Sequence, residues 1–483
     1  MNALFARIVV IVSGAAILVV ETLSTRLVAP YVGLTLESTT AVIGVALAGI
    51  AAGASLGGRW ADVLPPRRVA AGALAVGGLG VLVVRPLMRL LGPVLGPGPY
   101  AAVLLVAVST LMSVTALAMV TPAVTRACLS SISGSGAVVG QLSAAGTLGS
   151  LAGVFLTGYL LVSLLPVTAI LLFTAVACLL MALLTATVRT WAGVTGVAVA
   201  AVVAGAALVA VPGRCDVDTV YYCARIETDA ARPDVRVLVL DDLRHSAVDL
   251  SDPTRLEFAY TQRFADAIDT AFAAGRPLDA VHIGGGGFTM PRWLAATRPG
   301  STSTVLEVDE GVVELGRREL GVDSIPGTAV RIGDARTLLA GWPAASVDVV
   351  VGDAFGARSV PWHLATTEFV ADVNRVLRND GVFVLNVIDR DPWRLLAAEL
   401  ATVATRFSHV ALMTSGPDQL GRGGGGNVVI VASDRPLDIA GLAARAAVRG
   451  ERGYVLGEED SRRFADGAAV LTDGWAPVDQ LIG

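Results

Sequence analysis

Four stretches of this 483-residue chain carry no charged side chain: Ser38–Gly58, Leu90–Thr125, Ala127–Val188 and Thr190–Gly213. A helix that crosses the hydrocarbon core of a bilayer needs about 20 consecutive apolar residues. Each run is long enough to cross, and Ala127–Val188 must fold back on itself. Leu164–Val167, with Pro166, is the expected turn. With the apolar stretch at the start of the chain, the pattern predicts about seven helices, near 7–30, 38–58, 69–91, 100–122, 136–162, 166–188 and 190–211. The third should be cut short by Arg85 and Arg89. The first stretch alone could be read as a signal peptide. Six further runs and the lack of an A-x-A cleavage pattern favour a span.

Charge divides the chain in two. Residues 1–212 carry nine arginines against Glu21, Glu37 and Asp62, a net +6; residues 213–483 carry −11, and the whole chain −5. With 54% hydrophobic and 16% charged residues, a disordered chain is excluded. The acidic balance argues against a nucleic-acid partner. All 36 basic residues are arginine, so neither a Schiff-base lysine nor a P-loop lysine is available. Four cysteines and four histidines leave little for structural zinc, and no metal is expected.

Within the membrane part, Gly49, Gly53 and Gly57 fall on one helix face, and Gly149 and Gly153 repeat the spacing. Small residues let helices approach closely in lipid; close packing is the plainer reading and a transport path the alternative. Glu21 and Arg26 fall in or at the end of the first span, where a charge is costly unless paired or wet.

The second part reads as a small β region (213–275) followed by an α/β domain (276–483). Val220–Glu227, Val235–Leu240 and Ser246–Leu250 are strand candidates, separated by turns at Ala231–Asp234 and Asp241-Asp242, and a helix follows near Leu256–Ala274. Strands are then expected at Ala280–Ile283, Thr304–Val308, Ala329–Ile332, Val347–Val351 and Val382–Val387. Helices between them end at Ala296, span Glu310–Leu320 and span Thr366–Leu377. His409–Met413 and Asn427–Ala432 complete the sheet. This alternation implies a doubly wound sheet, whose ligands bind at the carboxyl ends of its strands.

The residues that can carry chemistry sit at those ends. Gly284, Gly285, Gly286 and Gly287 follow the first strand and let a ligand lie against the main chain. Glu307 ends the second strand, 23 residues after Gly284, where an acid can accept both ribose hydroxyls of a nucleoside. Asp334 follows the third strand and suits an adenine amino group. Asp353 ends the fourth, beside the place for a reacting group. The glycine run lacks the spaced G-x-G-x-x-G form, so a mononucleoside fits better than a dinucleotide. His282 lies inside a strand and reads as a core residue. His245 and His363 are functional candidates.

Val281-His-Ile-Gly-Gly-Gly286, Leu306-Glu-Val-Asp309, Gly333-Asp334 and Val349–Asp353 resemble the successive motifs of spermidine synthases. So do Leu240-Asp241 with His245, Glu257-Phe-Ala-Tyr260, and Leu471-Thr-Asp-Gly-Trp-Ala-Pro-Val478. Gly57-Gly-Arg-Trp-Ala-Asp62 with Pro65-Pro-Arg-Arg68 resembles a loop of major facilitator transporters. The whole chain is similar to fused major facilitator/spermidine synthase proteins, or membrane-bound polyamine aminopropyltransferases. The resemblance implies a Rossmann-like, class I methyltransferase-type fold. It implies decarboxylated S-adenosylmethionine as a co-substrate and no tightly bound cofactor. Gly284, Gly285, Gly286, Glu307, Asp334 and His245 would hold the nucleoside. Asp353 would be the catalytic acid/base. Tyr260, Gln262 and His363 would meet an amine such as putrescine.

The chain also departs from that pattern. Gly287 stands where the family has an Asp that helps hold the aminopropyl nitrogen. Asp353-Ala-Phe-Gly-Ala357 lacks a second Asp for the diamine, and His245 replaces a Gln. Ordinary S-adenosylmethionine with methyl transfer therefore stays open, as does a non-catalytic nucleoside or polyamine sensor on a half-transporter. The expected partners are an amine, a sulfonium nucleoside and the lipid bilayer, with a homodimer left open. Six arginines in loops on the amino-terminal side against three opposite, with seven helices, lean the second part toward the outside. Cys215 and Cys223 fit a disulfide in an oxidising space, whereas sulfonium nucleosides are made inside.

Overall fold

The computed structural model describes residues 2–32, 36–96, 99–129, 135–186, 191–211, 215–241, 243–355, 360–448 and 453–482. The chain divides into two compact units, Met1–Cys223 and Ala224–Gly483.

In the first unit, six helices are long and apolar enough to cross a membrane: Ala3–Val32, Glu37–Val63, Pro66–Leu95, Tyr100–Cys128, Ser135–Leu161 and Val167–Thr185. Trp191–Ala210 is a further apolar helix. The fold-back falls at Leu165 and Pro166, where a proline begins the next helix and its missing N–H costs nothing. Arg85 and Arg89 do not shorten the third helix, which runs on to Leu95. Their guanidinium groups donate to the carbonyls of Leu208 and Val211 at the end of Trp191–Ala210. They thus satisfy carbonyls that a helix end leaves unpaired. The glycine faces mark close crossings. A Cβ on Gly149 would lie 2.2 Å from the Ile11 carbonyl oxygen, and one on Gly53 would lie 2.3 Å from that of Thr115. Glu21 and Arg26 are both partly buried in the first helix. Cys215 and Cys223 are joined by a disulfide. A two-residue strand, Val217–Asp218 (β1), lies between them.

The second unit opens on the antiparallel strands Cys223–Thr228 (β2), Val235–Leu240 (β3) and Leu243–Asp249 (β4). β2 starts later than its apolar run suggests. The Thr219 hydroxyl accepts from the N–H groups of Tyr221 and Tyr222 and makes that segment a turn. Of the expected Asp241-Asp242 turn, Asp242 lies outside the described residues. A helix at Ala259–Ala271 follows.

The main sheet comprises Asp279–Ile283 (β5), Thr302–Glu307 (β6), Thr328–Ile332 (β7), Val347–Gly352 (β8), Leu377–Arg390 (β9), His409–Thr414 (β10), Gly425–Ser433 (β11) and Tyr454–Leu456 (β12). Its order is β12-β10-β11-β9-β8-β5-β6-β7. The five strands from β7 to β9 are parallel, whereas β11 runs antiparallel to both β9 and β10. The sheet is therefore mixed, and parallel only over its first five strands. β8, with the sequence Val-Asp-Val-Val-Val-Gly, is buried along its whole length, as a central parallel strand covered on both faces should be. Val349, Val351, Val382 and Val384 pack on one face against Phe264 and Ile268 of helix Ala259–Ala271. Phe383 and Val387 pack on the other against Phe369, Val373 and Leu396. Helices at Ala335–Ala340, Arg394–Val403 and Ile439–Val448 also belong to the unit and are not among the expected helices.

Candidate active site

Strand register builds the site. Ile283 pairs with Leu306 on one side and Gly352 on the other, and Gly352 pairs with Leu385. Paired residues of parallel strands point to the same face. The residues that follow, Gly284, Glu307, Asp353 and Asn386, therefore form one row along the carboxyl edge. The Gly284 N–H donates to Leu306 O and the Asp353 N–H to Ile283 O, both at 2.9 Å. A Cβ on Gly284, whose φ is +92°, would come 2.5 Å from Asp353 O, so only glycine permits this closeness.

Glu307 is the centre of one end. Its Oε2 accepts from the Gly285 N–H at 2.7 Å and its Oε1 from the Asp309 N–H at 3.0 Å. Burial raises its carboxyl above the usual range, and these N–H groups partly offset the shift. Each oxygen keeps a lone pair for a further donor. Asp309 in turn caps helix Glu310–Leu320 through the Gly311 N–H.

Asp334 caps helix Ala335–Ala340 through the Thr337 N–H at 3.0 Å, and its Oδ2 lies 2.7 Å from His363 Nε2. Burial works against its charge, but the bonds from Thr337 and His363 outweigh it and hold the carboxyl below the usual range. Arg336 grips Asp473 through both guanidinium nitrogens and also donates to His363 O. The Thr366 hydroxyl joins Asp473 at 2.9 Å. The Leu471–Val478 motif therefore packs beside Asp334.

Asp353 is partly buried at the other end of the row. Tyr260, from helix Ala259–Ala271, donates its hydroxyl to Oδ2 at 2.9 Å, and Asn386 donates Nδ2 to Oδ1 at 2.9 Å. Burial pushes the Asp353 carboxyl up to about 6, against the pull of these two donors. Burial, with Asp353 beside it, pushes the Tyr260 phenol well above its ordinary value. The Tyr260 hydroxyl also lies 3.4 Å from the main-chain oxygen of His245. Burial lowers the His245 ring to about 4, so it is neutral at pH 7. Gln262 turns its amide to Leu256 O at 2.6 Å. His282 is a core residue: Nε2 meets the Ser303 hydroxyl at 3.1 Å, while Nδ1 is buried without a partner.

Gly287 has little room for a side chain. A Cβ there would stand 2.3 Å from Ser246 Oγ and 3.1 Å from Val248 Cγ2. Ser246 is buried, and its hydroxyl, without a partner among the described residues, faces the glycine run. Asn386 and Ser246 are absent from the sequence candidates. The signal for Asn386 was present: it is the one polar residue in Val382-Phe-Val-Leu-Asn-Val-Ile388, next to the strand that carries Asp353.

No family model matches the chain. A polyamine aminopropyltransferase of Vibrio vulnificus (strain CMCP6) is 31% identical over 134 residues. That match spans 27% of this chain and 44% of the relative, less than half of its length. A probable spermidine synthase from Corynebacterium glutamicum ATCC 13032 superposes with a TM-score of 0.51 at 28% identity, over 55% of this chain and 99% of that one. Spermidine synthase from Thermotoga maritima is more distant, with a TM-score of 0.34, 18% identity, and 48% and 76% of the two chains covered. The second unit is thus spermidine synthase-like, with a Rossmann-like fold.

Proposed function

We propose that the second unit transfers the aminopropyl arm of decarboxylated S-adenosylmethionine to an amine such as putrescine, in a protein held in the cell membrane. The observation that carries this reading is the row itself, with a buried carboxylate at Glu307 held by the Gly285 and Asp309 N–H groups and a hydrogen-bonded, partly buried carboxylate at Asp353. Glu307 accepts the two ribose hydroxyls beside Gly284, Gly285 and Gly286. Asp334 meets the adenine amino group with its remaining lone pairs, and His363 orients that carboxylate. Tyr260 and Asn386 hold Asp353 toward the reacting carbon.

The amine nitrogen attacks the carbon next to the sulfonium. A carbon–nitrogen bond forms, the carbon–sulfur bond breaks, and its electron pair neutralises the sulfur as a thioether. The proton leaves the nitrogen for Asp353, whose carboxyl near 6 is mostly ionised at neutral pH and basic enough to help. Binding both partners in line supplies the remainder by proximity. Gln262 borders the acceptor side and His245 the nucleoside.

One observation favours a second reading. Gly287 brings no carboxylate for the arm's ammonium, and a side chain there would have to displace the Ser246 hydroxyl. Ordinary S-adenosylmethionine, whose arm brings its own carboxylate, with methyl transfer is the alternative. A product assay on the detergent-purified full chain with each donor separates the two. Aminopropylated amine and 5'-methylthioadenosine from the decarboxylated donor support the first reading; methylated product from the ordinary donor overturns it.

The lipid bilayer is the expected surroundings of the first unit. Counting Trp191–Ala210 as a seventh span beside the six long ones, with Arg7 inside, favours an outside position for the segment after 213, whereas six spans would favour the inside; the Cys215–Cys223 bond fits an oxidising compartment. The internal supply of sulfonium nucleosides pulls the other way. Protease labelling of intact cells decides, since protection until lysis would place the unit inside.

A further inference from the structure

Asp353 is held by two donors of different kinds. The Tyr260 hydroxyl can donate wherever its proton turns. An Asn side chain offers N–H at one end and a carbonyl at the other, with nearly the same shape. What Asn386 presents to Asp353 is therefore decided by what it meets on its other side.

That neighbour is Asn427. Its Nδ2 donates to Asn386 Oδ1 at 3.0 Å. The two lie diagonally across the antiparallel pair β9/β11, where Asn427 stands opposite Ile388 and Val429 opposite Asn386. The main-chain oxygen of Asn427 accepts from Arg263 Nη1 at 2.9 Å and from Gln419 Nε2 at 3.2 Å. Gln419 Oε1 is held by the N–H and hydroxyl of Ser415 at 2.6 and 2.7 Å. Arg263 is fully buried and sits one helical turn after Tyr260. One helix thus reaches Asp353 directly through Tyr260 and steadies the strand behind Asn386 through Arg263.

We propose that Asn427 is a positioning residue of the transfer reaction: its side-chain amide fixes Asn386 in the one orientation that offers Asp353 an N–H rather than a carbonyl. This rests on the reading of Asp353 as the proton acceptor. With Asn427 gone, the Asn386 amide is free to turn. A carbonyl against a carboxylate disfavours the charged form, and Asp353 would keep its proton to higher pH. The titratable groups nearby are Tyr260 on its helix, His245 on β4 and Glu307 at the end of β6; the substitution leaves all of them in place.

The test uses the detergent-purified full chain carrying Asn427→Leu, with Asn427→Ser as the second variant if the first does not fold. The acid limb of kcat/KM should move up by about one pH unit, with activity recovering in alkaline buffer. Asn386→Leu should move it similarly. The double variant should shift no further than Asn386→Leu alone, because one residue acts through the other. An unmoved limb, or shifts that add, would overturn the proposal. A second readout does not need turnover. The Asp353 carboxyl can be titrated by infrared difference spectroscopy, its band identified by loss in Asp353→Asn. If no donor is turned over yet the band still titrates higher in Asn427→Leu, the relay stands and the enzyme reading falls. A band unmoved in a folded variant sinks the relay.

Discussion

Glu307→Gln is the sharpest test of the nucleoside end, because both oxygens of the wild-type side chain already accept a main-chain N–H, one from Gly285 and the other from Asp309. Glutamine keeps one carbonyl and brings an NH2 group. Whichever way it turns, an N–H faces a main-chain N–H. One charge-assisted bond is lost and one buried donor is stranded, each worth about 1–3 kcal/mol. Removing a carboxylate whose charge burial disfavours returns part of that, leaving a net loss of about 1–3 kcal/mol in stability. The ribose suffers in parallel, since one hydroxyl loses its acceptor and the other its charge. Affinity for 5'-methylthioadenosine should fall about 10- to 100-fold. Calorimetric titration measures the affinity and thermal unfolding the stability, on the same preparation. A folded Glu307→Gln protein that binds the nucleoside as tightly as wild type would refute the reasoning.

Asp353→Asn should keep nucleoside binding and lower turnover by about 10²-fold or more, and near-normal turnover would remove Asp353 from the mechanism. In the wild type, kcat/KM should fall as pH drops below about 6, because the base is active only when ionised. Glu399 is buried and its carboxyl is pushed up to about 8, by burial and then by Asp389. Between its ordinary 4.5 and about 8 the unfolded chain gives up a proton that the folded chain keeps, so stability falls as pH rises through that window. Glu399→Gln should therefore raise the unfolding temperature at pH 8 and leave it little changed at pH 4; equal shifts at both would count against ionisation as the cause. Gly287→Asp should destabilise the chain through its clash with Ser246 by about 1–3 kcal/mol. Ser246→Gly should recover part of that loss in thermal unfolding, and no recovery would place the clash elsewhere.

Much of this arrangement can be read from the chain because it rests on local signals. Helix Glu310–Leu320 matches its expected bounds, since Asp309 caps one end and Gly321 adopts the left-handed conformation at the other. Gly284, Glu307 and Asp353 end apolar runs, and strand register then aligns them. The unread parts depend on tertiary contacts. The third helix of the first unit runs through two arginines, which find the carbonyls of Leu208 and Val211. β11 reads as another strand, and nothing in Gly425–Ser433 states that it lies antiparallel beside β9. Asn427 gains its contact with Asn386 only from that pairing. The coupling of His363 to Asp334 joins residues 29 positions apart, and neither segment announces it. Ser246 looks like an ordinary strand residue until its hydroxyl is found against the glycine run.

The close crossing of Ala3–Val32 with Ser135–Leu156 has a mechanical consequence. A Cβ on Gly14 would meet Gly146 O at 2.5 Å, and one on Gly153 would meet Ala15 O at 2.5 Å. Along this seam main chain rests close on main chain, with the Ser150 hydroxyl donating to Gly14 O and Val10 against Gly146. Sliding one helix past the other would lift glycines off carbonyls and break this close packing. The pair is therefore a stiff keel, and any rocking of the bundle has to hinge among the other helices.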